Sequence, residues 1–229
     1  DGIIAIGGDG TFTGAKIFNE EHHIPFVGIP GTIDNDLYGT DYCIGYDTAL
    51  NTVIDAVDKI RDTASSHNRL FIVEVMGRDA GFIALRSGIG VGAEAILIPE
   101  TPTYIDKLIE KLKDQSTVEK QSMIVIVAEG DESGGAYKVA EQVKAICPEF
   151  DTRVTVLGHI QRGGSPSALD RVLASRLGNA AVKALIDGKT NVMVGVLHRD
   201  ISYISFDKAI KHHQQINHDL LNLAEVLSC

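Results

Sequence analysis

An α/β fold with mainly parallel sheets, helices layered on both faces, is predicted for this 229-residue chain, and three observations predict it. Short, largely apolar runs recur at residues 3–6, 25–29, 70–75, 95–98, 123–127, 154–157 and 192–197, broken only by Glu74 and Thr155. Helical stretches separate them, and several runs end in a Gly-rich turn. Strands that are apolar throughout, rather than at alternate positions, are buried on both faces, as in parallel sheets crossed by helices.

The first strand, 3–6, runs through Gly7-Gly8-Asp9-Gly10-Thr11 into a helical stretch reaching about Glu21. The second ends in Pro30-Gly31-Thr32. Leu50, Val53, Ile54, Val57 and Ile60 recur at helical spacing and predict a helix beneath the next strand. Residues 105–112 form an amphipathic helix with a charged outer face, and 171–186 a long one. The run 192–197 is the last expected strand, and 206–227 is expected to be helical throughout.

Composition narrows the function. A formal charge of −10 disfavours nonspecific binding to nucleic acid. No apolar run approaches the ~20 residues of a membrane span. Cys43, Cys147 and Cys229 are far apart and in no metal-ligand spacing, which suggests a reducing, cytoplasmic setting. Asp1 leads straight into an apolar strand, so the sequence is expected to lack its true start.

The polar clusters are expected at strand carboxyl ends, where open α/β sheets bind ligands. In Gly7-Gly8-Asp9-Gly10-Thr11 the glycines let backbone approach a phosphate chain at a helix N-terminus. Asp9 makes sense there only beside a cation, most plausibly Mg2+. A tight turn with Asp9 as helix cap fits the same residues. In Pro30-Gly31-Thr32-Ile33-Asp34-Asn35-Asp36, an extended segment would point Asp34 and Asp36 the same way, one as a proton acceptor and the other orienting water or metal. An Asx-turn is the alternative.

These two segments, about 20 residues apart, resemble the bacterial-type ATP-dependent 6-phosphofructokinase family. Gly39-Thr40-Asp41-Tyr42, Arg61-Asp62-Thr63, Ser65-Ser66-His67, Val73-Glu74-Val75-Met76-Gly77-Arg78 and Val156-Leu157-Gly158-His159-Ile160-Gln161-Arg162-Gly163-Gly164-Ser165-Pro166 extend the likeness in order over the chain. Lipid and NAD kinases share Gly-Gly-Asp-Gly-Thr but lack the later segments.

The resemblance implies two Rossmann-like, three-layer α/β/α domains: an ATP domain of residues 1–45 and 161–211, whose N-terminal part is missing, and a sugar domain of 46–160 and 212–229. It implies transfer of the γ-phosphoryl of MgATP to the 1-hydroxyl of fructose 6-phosphate. Gly8, Asp9, Gly10 and Thr11 match the ATP-phosphate loop, with Asp9 on Mg2+. Asp34 matches the catalytic base. Thr32 and Arg78 match residues near the transferring phosphoryl, and Asp36 a carboxylate supporting metal and base. Ile33, Met76, Gly77, Glu129, His159, Ile160, Gln161 and Arg162 match sugar-phosphate-binding positions. Arg69 and Arg153 match 6-phosphate ligands lent by a neighbouring subunit of a homotetramer.

Pyrophosphate-using relatives carry Asp where Gly10 stands and Lys where Gly31 stands, so the resemblance indicates ATP. An effector site for ADP or phosphoenolpyruvate is implied at Arg61, Gly92, Glu94 and Lys120, although Val118 replaces one of its lysines. The family's N-terminal Gly-rich loop and bridging arginine have no counterpart, so a non-catalytic effector-binding subunit or fragment is the alternative.

Overall fold

A computed structural model describes residues 1–62, 69–116 and 122–227. The quoted residues at 63–67, together with Val118 and Lys120 of the expected effector site, lie outside the described residues. The chain divides into two compact units, Asp1–Thr48 with Ser165–Gln215, and Ala49–Gly164 with Ile216–Cys229. Each crossing falls a few residues later than the sequence boundaries expected.

The first unit carries β1 (Ile3–Gly7), α1 (Asp9–His22), β2 (Phe26–Pro30), α6 (Ala168–Ile186), β7 (Val192–Leu197), β8 (Asp200–Ser205) and α7 (Phe206–Lys211). Its sheet runs β1-β2-β7-β8, parallel except for the antiparallel β7–β8 pair. β2 is buried at every position, as its apolar sequence requires. One face packs Val27 and Ile29 against Leu173, Leu177 and Ala181 of α6. The other holds Phe12, Phe26, Met193 and Phe206.

The second unit carries β3 (Arg69–Val75), α3 (Phe82–Gly90), β4 (Ala95–Leu97), α4 (Ile105–Ser116), β5 (Ser122–Ala128), α5 (Ala136–Ile146), β6 (Asp151–Val156), a 3-10 turn (Gly158–Arg162) and α8 (His218–Leu227). Its all-parallel sheet runs β4-β5-β3-β6. α2 (Tyr46–Asp62) begins in the first unit and continues into the second.

Three features depart from the sequence reading. β8 follows the run expected to be last. It sits at the sheet edge and is half-exposed, so it shows no continuous apolar run. The hairpin into it turns on His198 and Arg199 at φ 50° and 77°, a left-handed pair normally marked by Asn or Gly. His198 N–H is held by Asp41 Oδ2 at 2.7 Å, and Arg176 donates to the Arg199 carbonyl at 2.6 Å.

Residues 206–227 form two helices rather than one. Between them the Gln214 N–H goes to the Asp36 carbonyl, 2.9 Å, and His213 bridges Leu37, so long-range backbone bonds replace helical ones. Asn217 then restarts the helix, its Oδ1 accepting the Asp219 N–H at 2.8 Å. Finally, α3 and α5 were not singled out in the sequence. α3 is buried nearly all round and so shows no amphipathic stripe, and α5 uses alanines at two of its four buried positions.

Gly28 lies between the stacked rings of Phe12 and Phe206, whose centroids are 5.2 Å apart. A Cβ there would stand 2.6 Å from Phe12 and 2.7 Å from Phe206. Gly28→Ala is therefore expected to lower stability by about 1–3 kcal/mol through overpacking, read as a fall in the urea midpoint at unchanged slope.

Candidate active site

In the first unit, β1 and β2 lie side by side in parallel, with Gly7 opposite Pro30. Gly31 N–H continues the ladder to the Gly7 carbonyl at 2.9 Å. The two Gly-rich segments therefore emerge at the same sheet edge, and a Cβ on Gly8 would contact Thr32 at 3.7 Å. α1 starts at Asp9 with Gly8 as its cap residue, so Asp9 is not the cap but the first helical residue. Its Oδ1 accepts the Gly10 N–H at 2.7 Å. A Cβ on Gly10 would meet nothing within 4 Å, whereas one on Gly31 would press Ile6 at 3.1 Å.

The segment after Pro30 is not extended. Thr32 Oγ1 accepts the Asp34 N–H at 3.2 Å, and Asn35 takes a left-handed φ of 55°. The alternation argument for Asp34 and Asp36 therefore does not apply. Asn35 enforces the bend: it is buried, its Oδ1 accepts the Cys43 N–H at 2.7 Å, and its Nδ2 donates to the Asp41 carbonyl at 3.2 Å. Ile44 N–H closes the loop onto the Pro30 carbonyl at 2.9 Å. Within this loop Cys43 is wholly buried, and burial, with the charges of Asp36, Asp34 and Asp170 adding, pushes its thiol well above the ordinary range.

The second unit gathers its predicted residues at the carboxyl ends of three neighbouring strands. Met76, Gly77 and Arg78 follow β3, Glu129 follows β5, and the turn bearing His159 and Arg162 follows β6. Glu129 Oε1 accepts both the Gly77 and Arg78 N–H groups, at 3.2 and 2.7 Å. Gly77 has φ 147° and Arg78 φ 55°. A Cβ on Gly77 would collide with the Ala80 carbonyl, so glycine is required there. Backbone held in such sparsely populated regions is characteristic of functional turns.

His159, Ile160 and Arg162 are exposed, while Gln161 points inward. Its Oε1 accepts the Met76 N–H at 3.1 Å and its Nε2 donates to the Gly158 carbonyl at 3.0 Å. The side chain of Gln161, a residue the resemblance places among the sugar-phosphate positions, ties the β3 turn to the β6 turn.

Arg69 and Arg153 do not belong to that edge. Arg69 opens β3 and Arg153 lies inside β6 opposite Phe71, so the expectation that every cluster sits at a strand carboxyl end is corrected for both. Asp151 approaches both guanidiniums, at 3.6 and 3.1 Å. The rise of about 3.3 Å per residue separates Arg69 from the far end of β3 by roughly 20 Å.

Of the expected effector residues, Arg61 donates to the Val91 carbonyl, beside Gly92 at φ 61°. Glu94 is buried and accepts the Ile124 N–H at 2.5 Å, so it is not an ordinary surface charge.

The family described as Phosphofructokinase matches residues 1–185. The chain belongs to the phosphofructokinase family. It is 58% identical over 228 residues to the ATP-dependent 6-phosphofructokinase 2 of Bacteroides thetaiotaomicron, covering all of this chain and 70% of that protein. It is 53% identical to the ATP-dependent 6-phosphofructokinase 1 of Thermus thermophilus, again over 100% of this chain and 70% of the relative. A solved phosphofructokinase of Saccharomyces cerevisiae superposes with a TM-score of 0.85 at 31% identity, over 99% of this chain but only 33% of that longer chain. A pyrophosphate-dependent phosphofructokinase from Marinobacter aquaeolei shares the fold, with a TM-score of 0.78 at 24% identity over 99% of this chain and 67% of that one. Rossmann-like α/β units are thus the family's architecture and this chain's.

Sequence reasoning gave Asn35, Glu129 and Gln161 no structural task, because side-chain-to-backbone bonds between distant segments leave no periodic mark. In native protein, peptide mapping after alkylation at pH 8 should find Cys43 unmodified. Asn35→Ala, by loosening the loop, should speed its labelling tenfold or more, and an unchanged rate would show that Asn35 does not hold the loop closed.

Proposed function

We propose that the protein transfers the γ-phosphoryl of MgATP to the 1-hydroxyl of fructose 6-phosphate, giving ADP and fructose 1,6-bisphosphate. The observation that carries this is the pairing of the Asp9 and Asp34 loops at the ends of adjacent parallel strands. They lie in a chain 58% identical to a protein named an ATP-dependent 6-phosphofructokinase.

Asp34 takes the proton of the sugar 1-hydroxyl as its oxygen attacks the γ-phosphorus, and the bond to the β-phosphate oxygen breaks. Thr32 and Arg78 hold the charge spreading over the transferring group. The loop of Gly8, Gly10 and Thr11 receives the ATP phosphates through backbone N–H groups at the start of α1. The open space at Gly10 favours ATP over pyrophosphate as donor.

Mg2+ supplies charge neutralisation when bound. Asp9 would hold it, with Asp36 in support. The available donors are carboxylate and hydroxyl oxygens, which suit this hard cation. Among the described residues no group of three or more His, Cys, Asp or Glu could hold a metal, so the ion would rest on one or two carboxylates and the nucleotide's own phosphates.

Met76, Gly77 and Glu129 orient the sugar, and His159, Ile160 and Arg162 bind at its 6-phosphate end. Arg69, roughly 20 Å from the far end of its strand, and Arg153, about 13 Å from it, serve a neighbouring copy's sugar phosphate in a homotetramer. Arg61, Gly92, Glu94 and Lys120 form part of an effector site for ADP or phosphoenolpyruvate. No helix among the described residues is long and apolar enough to cross a membrane, and we assign the enzyme to the cytoplasm.

The test is turnover of the full-length enzyme with fructose 6-phosphate and either MgATP or pyrophosphate. MgATP should be the donor used, and faster turnover with pyrophosphate would reject the reading of Gly10. Asp34→Asn should lower kcat by roughly 10²-fold or more with a smaller change in sugar affinity, and an unchanged kcat would remove Asp34 from its role as base. Hybrids of two inactive forms, Asp34→Asn and Arg153→Ala, should regain partial activity, since some sites then receive both intact groups. Verified hybrids without recovery would assign Arg153 to its own subunit.

A further inference from the structure

Asp170, in the first turn of α6, is a carboxylate only 2% exposed. Its Oδ1 accepts the Gly45 N–H at 2.9 Å, and its Oδ2 accepts the Thr48 N–H at 2.9 Å and the Thr48 hydroxyl. Thr48 Oγ1 in turn accepts the Ser167 N–H at 3.0 Å, and Ser167 Oγ accepts the Asp170 N–H at 3.2 Å. The five interactions close a ring between the start of α2 and the start of α6.

The start of α2 needs such a partner. Gly45, immediately before Tyr46, has no side chain with which to cap the helix, so its first N–H groups would otherwise go unmet. Asp170 supplies the cap from a different helix, with a negative charge that suits a helix N-terminus. Gly45 is also the residue after Ile44, whose N–H holds the Pro30 carbonyl. The loop carrying Thr32, Asp34 and Asp36 is thus pinned at its middle by Asn35 and at its far end by Asp170. The chain leaves the first unit just after Thr48 and re-enters at Ser165, so the same ring anchors both passages.

We infer that Asp170 is a positioning residue for phosphoryl transfer, holding the Asp34 loop from behind through Gly45 and Thr48. The inference rests on the reaction proposed above, and it assigns Asp170 no contact with substrate. Asparagine cannot replace it, because whichever way the amide turns, its NH2 faces a backbone N–H, that of Gly45 or that of Thr48.

The experiment compares full-length wild type with Asp170→Asn, Thr48→Val and Thr48→Ser. Wild-type turnover with MgATP and fructose 6-phosphate establishes the reaction first. In Asp170→Asn, kcat should fall by roughly 10- to 100-fold, with KM for both substrates within about threefold. Amide hydrogen exchange across residues 31–45 should quicken tenfold or more, while exchange in β3 is unchanged. Thr48→Val should reproduce part of both effects, and Thr48→Ser, which keeps the hydroxyl, should restore them. A folded Asp170→Asn protein with kcat within twofold of wild type, or with only a lower melting temperature and unchanged exchange at 31–45, overturns the inference. If Asp170→Asn does not fold, a Thr48→Val protein matching wild type in kcat and exchange overturns it. An inactive wild type rejects the reaction instead, and the exchange comparison still decides whether Asp170 holds the loop.

Discussion

The Gly31 N–H bond to the Gly7 carbonyl, at 2.9 Å, is the constraint on which the first unit's site depends. It continues a parallel register that sets Gly7 opposite Pro30. Two loops separated by a helix therefore leave the sheet at one edge and at one level. A slip of one residue in β2 would turn its side chains to the opposite face and carry Asp34 about 3.3 Å along the strand axis. Phosphoryl transfer tolerates neither. The buried faces of β2, packed on α6 from one side and on Phe12 and Phe206 from the other, guard that register.

The second unit achieves order differently. Its sheet ends are tied by side chains: Glu129 spans from β5 to the Gly77–Arg78 turn, and Gln161 spans from the β6 turn to Met76. Each uses a long polar side chain to satisfy backbone N–H groups that turn away from the ladder. The exposed groups His159 and Arg162 then flank Gln161, which is buried and bonded at both ends of its amide. Exposed side chains and one that braces the backbone thus share a single short turn.

Much of this was legible in the sequence. β2 and β5 announced themselves because strands buried on both faces must be apolar throughout, β3 did so through the run Leu70–Val73, and the Gly-rich segments marked where the chain leaves the sheet. What escaped has a common cause. β8 is an edge strand entered through a His-Arg turn, the break at 212–217 is made by bonds to residues near 36–37, and Asp170 caps a helix that begins more than a hundred positions earlier. In each case a distant partner decides the local conformation, and no pattern within a short window can encode it. The same holds for Gln161, which reads as part of a ligand-binding string yet spends its amide inside the protein.

Arg78 sits at φ 55°. A left-handed backbone at a residue with a Cβ costs roughly 1–2 kcal/mol, a cost glycine does not incur. Selection for folding alone would therefore drift toward glycine here, discarding the guanidinium for a more relaxed turn, so stability and the role proposed for Arg78 pull this one codon in opposite directions. Laboratory lineages evolved for heat resistance without an activity filter would lose the guanidinium at this turn while their sheets stayed intact.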